Sequence, residues 1–333
     1  MKNILMIGTG GTIASEMTPG GLAPELSPAE LIRYVPGISE LCRVECLQLF
    51  NIDSTNMTPA HWVKTARAIA ENYDKYDGFV ICHGTDTMAY TAAALSYMVQ
   101  LSKKPIILTG AQKPINFDNT DSKINLMDAF ICACSPQMHG VNIVFNGKVI
   151  LGTRARKTRS MSFQAFSSIN YPEIATIQDG FIMQYIAQDY WERPVFAKDL
   201  DTSVGLIKMI PGIDFELLEF LLERKDALII ESFGVGGLPS YNSNEFFDII
   251  TEKGIKKGKF IIMTTQVQNE GSNLAVYNVG HRLKGWSGVL EAYDMTTEAA
   301  LAKIMWILAQ TKDPGKAAEM FYRPVAHDIL YRG

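Results

Sequence analysis

Residues 4–15 read ILMIGTGGTIAS. An apolar run (4–7) meets Gly8, Gly10 and Gly11 and then Thr12. A run that short, apolar at every position and closed by glycine, reads as a strand buried on both faces. The same motif of apolar strand, loop and helix returns three times. VECLQLF (44–50) leads through NIDSTN (51–56) into TPAHWVKTARAIAENY (58–73). GFVIC (78–82) leads through HGTDT (83–87) into TMAYTAAALSYMVQ (87–100). PIIL (105–108) leads through TGAQKP (109–114) toward KINLMDAFICAC (123–134). Helix starts are marked as well: Ser27 as N-cap, Pro28 at N1 and Glu30 closing a capping box, then Thr58 with Pro59 at N1. Strands of buried type alternating with helices predict a doubly wound parallel sheet, of flavodoxin-like or Rossmann-like layering.

The pattern loosens over 172 to about 203, where Pro172, Gly180 and Pro194 interrupt it. That stretch reads as interdomain. A second, smaller α/β pattern follows, with SVGLIKMI (203–210), DALIIES (226–232), KFIIMTTQ (259–266) and a helix near TEAALAKIMWILAQ (297–310). The boundaries this reading gives are an N-terminal domain over 1–190, a linker over 191–205 and a C-terminal domain over 206–333.

Composition narrows the function. The chain has 333 residues, 47% hydrophobic and 20% charged, with a net charge of −4. No basic surface for nucleic acid or anionic lipid is indicated. The N-terminal apolar run is too short for a secretory signal, and no run approaches the ~18 residues of a membrane span. A cytoplasmic protein is expected. Five cysteines without regular spacing read as reduced thiols. Cys132-x-Cys134 lacks a second pair, the five histidines are scattered, and no metal or other cofactor is expected.

In such a sheet ligands bind beyond the carboxyl ends of the strands, so the four loops should share one edge. GTGGT (8–12) has two readings. As a phosphate cradle it lacks the third glycine, because position 13 is Ile, and Asp53 lies too far on for a ribose ligand. As a tight turn it brings backbone N–H donors and the Thr12 hydroxyl to the edge. Thr12 could also be only a helix cap. Thr85 and Thr87 flank Asp86 on HGTDT, while Ser54, Thr55 and Asp53 sit on NIDSTN. Hydroxyls on three loops at one edge are hard to attribute to capping alone. A threonine nucleophile needs a base. His83 fits a strand end and packing better than that role. A lysine beside a carboxylate is the alternative, but spacing does not identify which lysine.

GTGGTIAS (8–15) and HGTDTMAYTAAALSYM (83–98) together resemble the two signature motifs of the bacterial-type L-asparaginases, of the cytoplasmic type I branch. The resemblance continues through NIDSTNMTP, PIILTGAQKPI, FNGKVILGTRARKTRSMSFQAFSSINYP, FGVGGLP and DMTTEAALAKIMWIL, in order over essentially the whole chain. A related archaeal glutamyl-tRNA amidotransferase subunit carries an extra N-terminal domain; a chain opening on its first strand points away from that branch.

The resemblance implies hydrolysis of the side-chain amide of L-asparagine to aspartate and ammonia, with possible minor glutaminase activity. It implies Thr12 as nucleophile and Thr85, Asp86 and Lys157 as a proton-handling relay. Ser54 falls on the residue that holds the substrate α-carboxylate. Thr55 and Asp86 fall on positions that contact the substrate's α-groups, Asp86 accepting from the ammonium. Ala111 falls where its carbonyl faces the leaving amide, and Gly11, Asp53 and Gly84 are further substrate-binding positions. N–H groups at Thr12 and Thr85 become the oxyanion donors. A homodimer or homotetramer is implied.

Two departures stand out. SEMTPGGLAPEL (15–26) should be a mobile lid, but Leu22 occupies the usual tyrosine position and no tyrosine occurs between Thr12 and Arg33. Thr18, Glu16, a bound water or the lysine relay itself are the candidates to deprotonate Thr12. Gly237 stands where periplasmic type II enzymes have an asparagine, in keeping with type I.

Overall fold

The computed structural model describes residues 1–276 and 278–330. The chain divides into two compact units, Met1–Lys198 and Asp199–Gly333.

In the first unit strand β1 (Lys2–Gly10) pairs in parallel with β2 (Cys42–Ile52) on one side and β3 (Gly78–Cys82) on the other. Strands β4 (Pro105–Thr109) and β5 (Gly140–Phe145) continue the parallel run beyond β3. The order across these five is 2-1-3-4-5, the flavodoxin-like winding, which reverses direction between β1 and β3. β3 and β4 are buried at every residue, as strands covered on both faces must be. Each Val, Ile or Phe so buried contributes about 1.5–3 kcal/mol relative to exposure.

Helices α1 (Pro28–Arg33), α2 (Pro59–Asn72), α3 (Met88–Met98) and α4 (Ser122–Cys134) make the crossovers. The capping box at Ser27 and Glu30 forms as the sequence indicates. At α2 the Thr58 N–H donates to His61 Nδ1 at 3.0 Å, so an imidazole fills the role usually taken by glutamate. α3 is buried along almost its whole length and carries Ala at 89 and 92–94, small enough to lie close on the sheet.

One sequence expectation changes. The stretch 172–203 is not simply interdomain. β6 (Lys148–Leu151), β7 (Ala175–Gln178) and β8 (Phe181–Gln184) extend the sheet antiparallel beyond β5 to eight strands. Residues 195–196 pair with 99–100 in a small ladder of the same unit. The predicted lid, in turn, is a β-hairpin of Ser15–Thr18 and Gly21–Pro24, with Met17 opposite Leu22. Thr18 Oγ1 donates to the Gly21 carbonyl at 2.6 Å across its turn.

The second unit is a four-stranded parallel sheet, in the order β9 (Val204–Lys208), β10 (Ala227–Ser232), β11 (Phe260–Thr265), β12 (Val289–Glu291). Its core joins Leu228, Ile230, Ile261 and Met263 of the sheet to Leu218, Leu222 and Phe246 of the helices. Among the described residues no helix is long and apolar enough to cross a membrane.

Candidate active site

Parallel pairing puts the carboxyl ends of β1 to β4 on one edge, so the four loops singled out in the sequence lie together there. Glycines set how closely they pack. Gly10 has φ +98°, and a β-carbon on it would lie 2.4 Å from the Ile52 carbonyl oxygen. Gly11 has φ +82°, and its β-carbon would lie 2.3 Å from the Gly84 nitrogen. A β-carbon on Gly84 would lie 2.6 Å from Ser54 Oγ. Only glycine lets the three backbones touch. Thr12 and Thr85 therefore issue from loops in direct contact, at the β1/β3 switch point.

Capping accounts for some of the loop hydroxyls and carboxylates and not for others. A single 3-10 turn, Thr12–Ala14, starts at Thr12, with Gly11 in the cap position. Thr12 is thus not a cap. It is half-buried, and no hydrogen bond holds its hydroxyl among the described residues. Thr87 precedes α3 but makes no side-chain cap. Its hydroxyl donates to the Ser54 carbonyl at 2.8 Å, tying two loops together. Asp53 does cap: Oδ1 accepts from the Thr55 N–H at 2.8 Å and from the Thr55 hydroxyl at 2.9 Å. Ser54 is buried within the turn so formed.

Lys157 supplies the cation. It ends a short strand, Ala155–Lys157, paired antiparallel with Phe166–Ser168. Its Nζ donates to Thr85 Oγ1 at 2.7 Å and to Asp86 Oδ1 at 2.7 Å. The lysine side chain is 17% exposed and the aspartate 58%, so the pair sits at the mouth of the edge with the lysine inward.

The sequence reading missed Gln112. Thr85 Oγ1 donates to its Oε1 at 3.1 Å. Gln112 Nε2 donates to the Ser160 and Ser162 carbonyls at 3.0 and 3.1 Å. Two carbonyl partners fix which amide atom is nitrogen, and so leave oxygen for Thr85. The Asp121 carboxylate accepts the Gln112 and Lys113 N–H groups at 3.0 and 3.2 Å and pins this loop from α4. Burial raises the Asp121 pKa against those donors. The signal was present, since TGAQKP lies on the same edge, but nothing in spacing distinguished its glutamine. Ala111, on the same loop, is fully buried.

His83 is a core histidine and not a base. It is fully buried, and desolvation lowers its pKa to about 4. Among the described residues no three His, Cys, Asp or Glu side chains gather where they could hold a metal ion.

A threonine hydroxyl left free on one loop of a flavodoxin-like switch point, with a Thr–Lys–Asp cluster on the loops of the same edge, is the class of arrangement in which a hydroxyl can be activated by neighbouring proton-transfer groups. The family models for "Asparaginase, N-terminal" and "Glutaminase/Asparaginase C-terminal domain" match residues 3–188 and 203–321. The chain belongs to the asparaginase family. It is 37% identical over 329 residues to an L-asparaginase of Thermococcus kodakarensis, covering 98% of each chain. It is 35% identical over 346 residues to a glutamyl-tRNA(Gln) amidotransferase component of Pyrococcus abyssi, covering 99% of this chain and 77% of that one. The solved thermostable L-asparaginase from T. kodakarensis superposes with a TM-score of 0.91 at 36% identity, covering 99% of this chain and 100% of that one. L-asparaginase I from Vibrio cholerae superposes with a TM-score of 0.85 at 30% identity, covering 99% of each.

Proposed function

We propose that this protein hydrolyses the side-chain amide of L-asparagine to L-aspartate and ammonia, with Thr12 as nucleophile and an acyl-enzyme intermediate. The observation that carries the reading is Lys157 Nζ, 2.7 Å from both Thr85 Oγ1 and Asp86 Oδ1, beside the loop that bears the free Thr12 hydroxyl. Thr12 Oγ adds to the amide carbon. Its proton passes to the Thr85–Lys157–Asp86 relay and from there to the departing nitrogen, which leaves as ammonia. Water then adds to the aspartyl ester along the same proton path and frees Thr12. Preorganised N–H donors on a developing oxyanion are each worth about 10²–10³ in rate, and the Thr12 and Thr85 backbones are the donors in this scheme.

Ser54 holds the substrate α-carboxylate, Thr55 contacts the α-groups, Asp86 accepts from the α-ammonium, and Asp53 braces Thr55 at the same site. Gly11, Gly84 and Ala111 line the pocket floor. Thr18 is an unattractive base, because its hydroxyl is already committed within the hairpin turn. That favours the lysine relay over Thr18. Discrimination against one extra methylene is typically worth only about 1–3 kcal/mol, so a minor glutaminase activity accompanies the main one. Membership of the type I branch, a cytoplasmic location and a homodimeric or homotetrameric state complete the reading.

The test is ammonia release from L-asparagine and L-glutamine by wild type and Thr12→Ala. Release from asparagine that vanishes in Thr12→Ala supports the proposal. No release from either amide by wild type overturns it, and activity that survives in Thr12→Ala removes Thr12 as nucleophile.

A further inference from the structure

Behind the site lies a chain of hydrogen bonds that the reaction scheme does not use. Trp62 Nε1 on α2 donates to Thr91 Oγ1 on α3 at 3.0 Å. Thr91 Oγ1 lies 2.8 Å from His83 Nε2, and His83 Nδ1 lies 2.7 Å from the Gly84 carbonyl oxygen. A carbonyl can only accept, so Nδ1 carries the hydrogen and Nε2 accepts from the Thr91 hydroxyl. All the donors then point one way, from Trp62 through Thr91 and His83 to the Gly84 carbonyl. Thr91 and His83 are 1% and 0% exposed, and Trp62 is 5% exposed.

That endpoint matters because the peptide unit is planar and trans. Holding the Gly84 C=O on the core side turns the next N–H, that of Thr85, the opposite way, out of the core. We propose that the Trp62–Thr91–His83 chain is a positioning device that fixes the Gly84–Thr85 peptide so that the Thr85 N–H meets the developing oxyanion. This rests on the amidohydrolase reading above. It also explains a histidine next to the site whose lowered pKa, about 4, keeps it neutral at working pH. An imidazolium would donate from both nitrogens and break the chain at Thr91.

The experiment compares kcat and KM for L-asparagine in wild type, Thr91→Val and Thr91→Ser, normalised to the folded fraction by circular dichroism. Valine removes the hydroxyl at nearly constant shape, and serine restores it. A misaligned oxyanion donor acts on the transition state, so Thr91→Val should lower kcat by about 10- to 100-fold with KM changed less than about threefold. Thr91→Ser should return kcat to within about fivefold of wild type. If Thr91→Val does not fold, His83→Ala and His83→Asn replace the pair, since the asparagine amide can donate where Nδ1 did. ¹⁵N-histidine spectra of the wild type give a second readout, expected to show His83 as the neutral Nδ1–H tautomer from pH 8 down to 5.5. An Nε2–H tautomer, or an active wild type whose Thr91→Val variant keeps full kcat, overturns the positioning role and leaves the hydrolase reading standing. A wild type that releases no ammonia overturns the hydrolase reading itself, and the inference with it.

Discussion

The contact between Gly11 and Gly84 makes a strong prediction for Gly11→Ala. The added β-carbon would lie 2.3 Å from the Gly84 nitrogen and 2.4 Å from its α-carbon, where ordinary contact begins at 3.4 Å. Both obstacles are backbone, so no rotamer relieves them and the two loops must part by about 1 Å. Misplacement on that scale costs about 10²-fold in rate. Gly11 also has φ +82°, and a non-glycine residue held in that region costs on the order of 1–3 kcal/mol. The two effects need separating, and Gly180 provides the control. It has φ +80° with nothing within 4 Å of its β-carbon position, in the β7–β8 turn, with four strands of the sheet between β7 and β1. Gly180→Ala should therefore lower the apparent Tm by about 2–12 °C, the shift that strain of this size produces in a unit of this length, and leave kcat within about twofold. Gly11→Ala should lower Tm at least as much and kcat by about 100-fold. Ammonia release and thermal denaturation monitored by circular dichroism measure both. A Gly11→Ala enzyme with kcat near wild type would refute the claim that backbone contact between these loops sets the catalytic geometry.

Three further predictions concern other parts of the site and fold. Lys157→Met should reduce kcat by about 10²–10⁴-fold, the usual contribution of a positioned proton-transfer group, and Lys157→Arg should recover little of it in steady-state assays, because a guanidinium does not release a proton. Gln112→Leu removes the acceptor for Thr85 and both bonds to the 158–165 loop, so kcat for asparagine should fall about tenfold, with KM and loop proteolysis reporting whether Lys157 has moved. Asp128 on α4 is 8% exposed, and burial raises its pKa from 3.8 to about 6. A carboxyl with a raised folded-state pKa is tolerated when protonated and costs stability as pH rises through about 6; Asp128→Asn should therefore stabilise by up to about 3 kcal/mol at pH 8 and by almost nothing at pH 4, as read from urea denaturation at both values.

The parallel sheet and its active edge were legible because their signals are local. Residues 78–82 and 105–109 are apolar at every position but the last or first of each run, and each is followed within a few residues by a polar loop and a helix start. The antiparallel extension was not legible for the opposite reason. β7 and β8 are four residues each; β7 alternates buried with more exposed positions, and β8, the edge strand, alternates exposed with half-buried ones. Four alternating residues beside Pro172 and Gly180 do not stand out from a loop. Lys157 illustrates a different limit. It meets Thr85 across a sequence separation of 72, through a two-stranded ladder of three residues a side, and no spacing rule spans that distance. Family resemblance pointed to it; periodicity did not.

The loop hydroxyls show what the sequence leaves undetermined even when the right loops are found. Asp53, Thr55, Thr85 and Thr87 are all residue types favoured at caps, and composition treats them alike. In the structure they divide. Asp53 satisfies the Thr55 N–H and hydroxyl within its own turn, while Thr85 ignores the helix after it and bonds to Lys157 at a strand end and to Gln112 on another loop. What separates them is whether a partner arrives from elsewhere in the fold. A polar residue that forgoes the local bond open to it and is held instead by distant groups gains its role from tertiary structure. Thr85 and Thr12 meet that criterion in complementary ways: Thr85 is held by two distant side chains, and Thr12 is placed by contacting backbones with its hydroxyl left free. A nucleophile must be free to react and its relay must be held, and that division of labour is the strongest physical ground for reading this edge as catalytic.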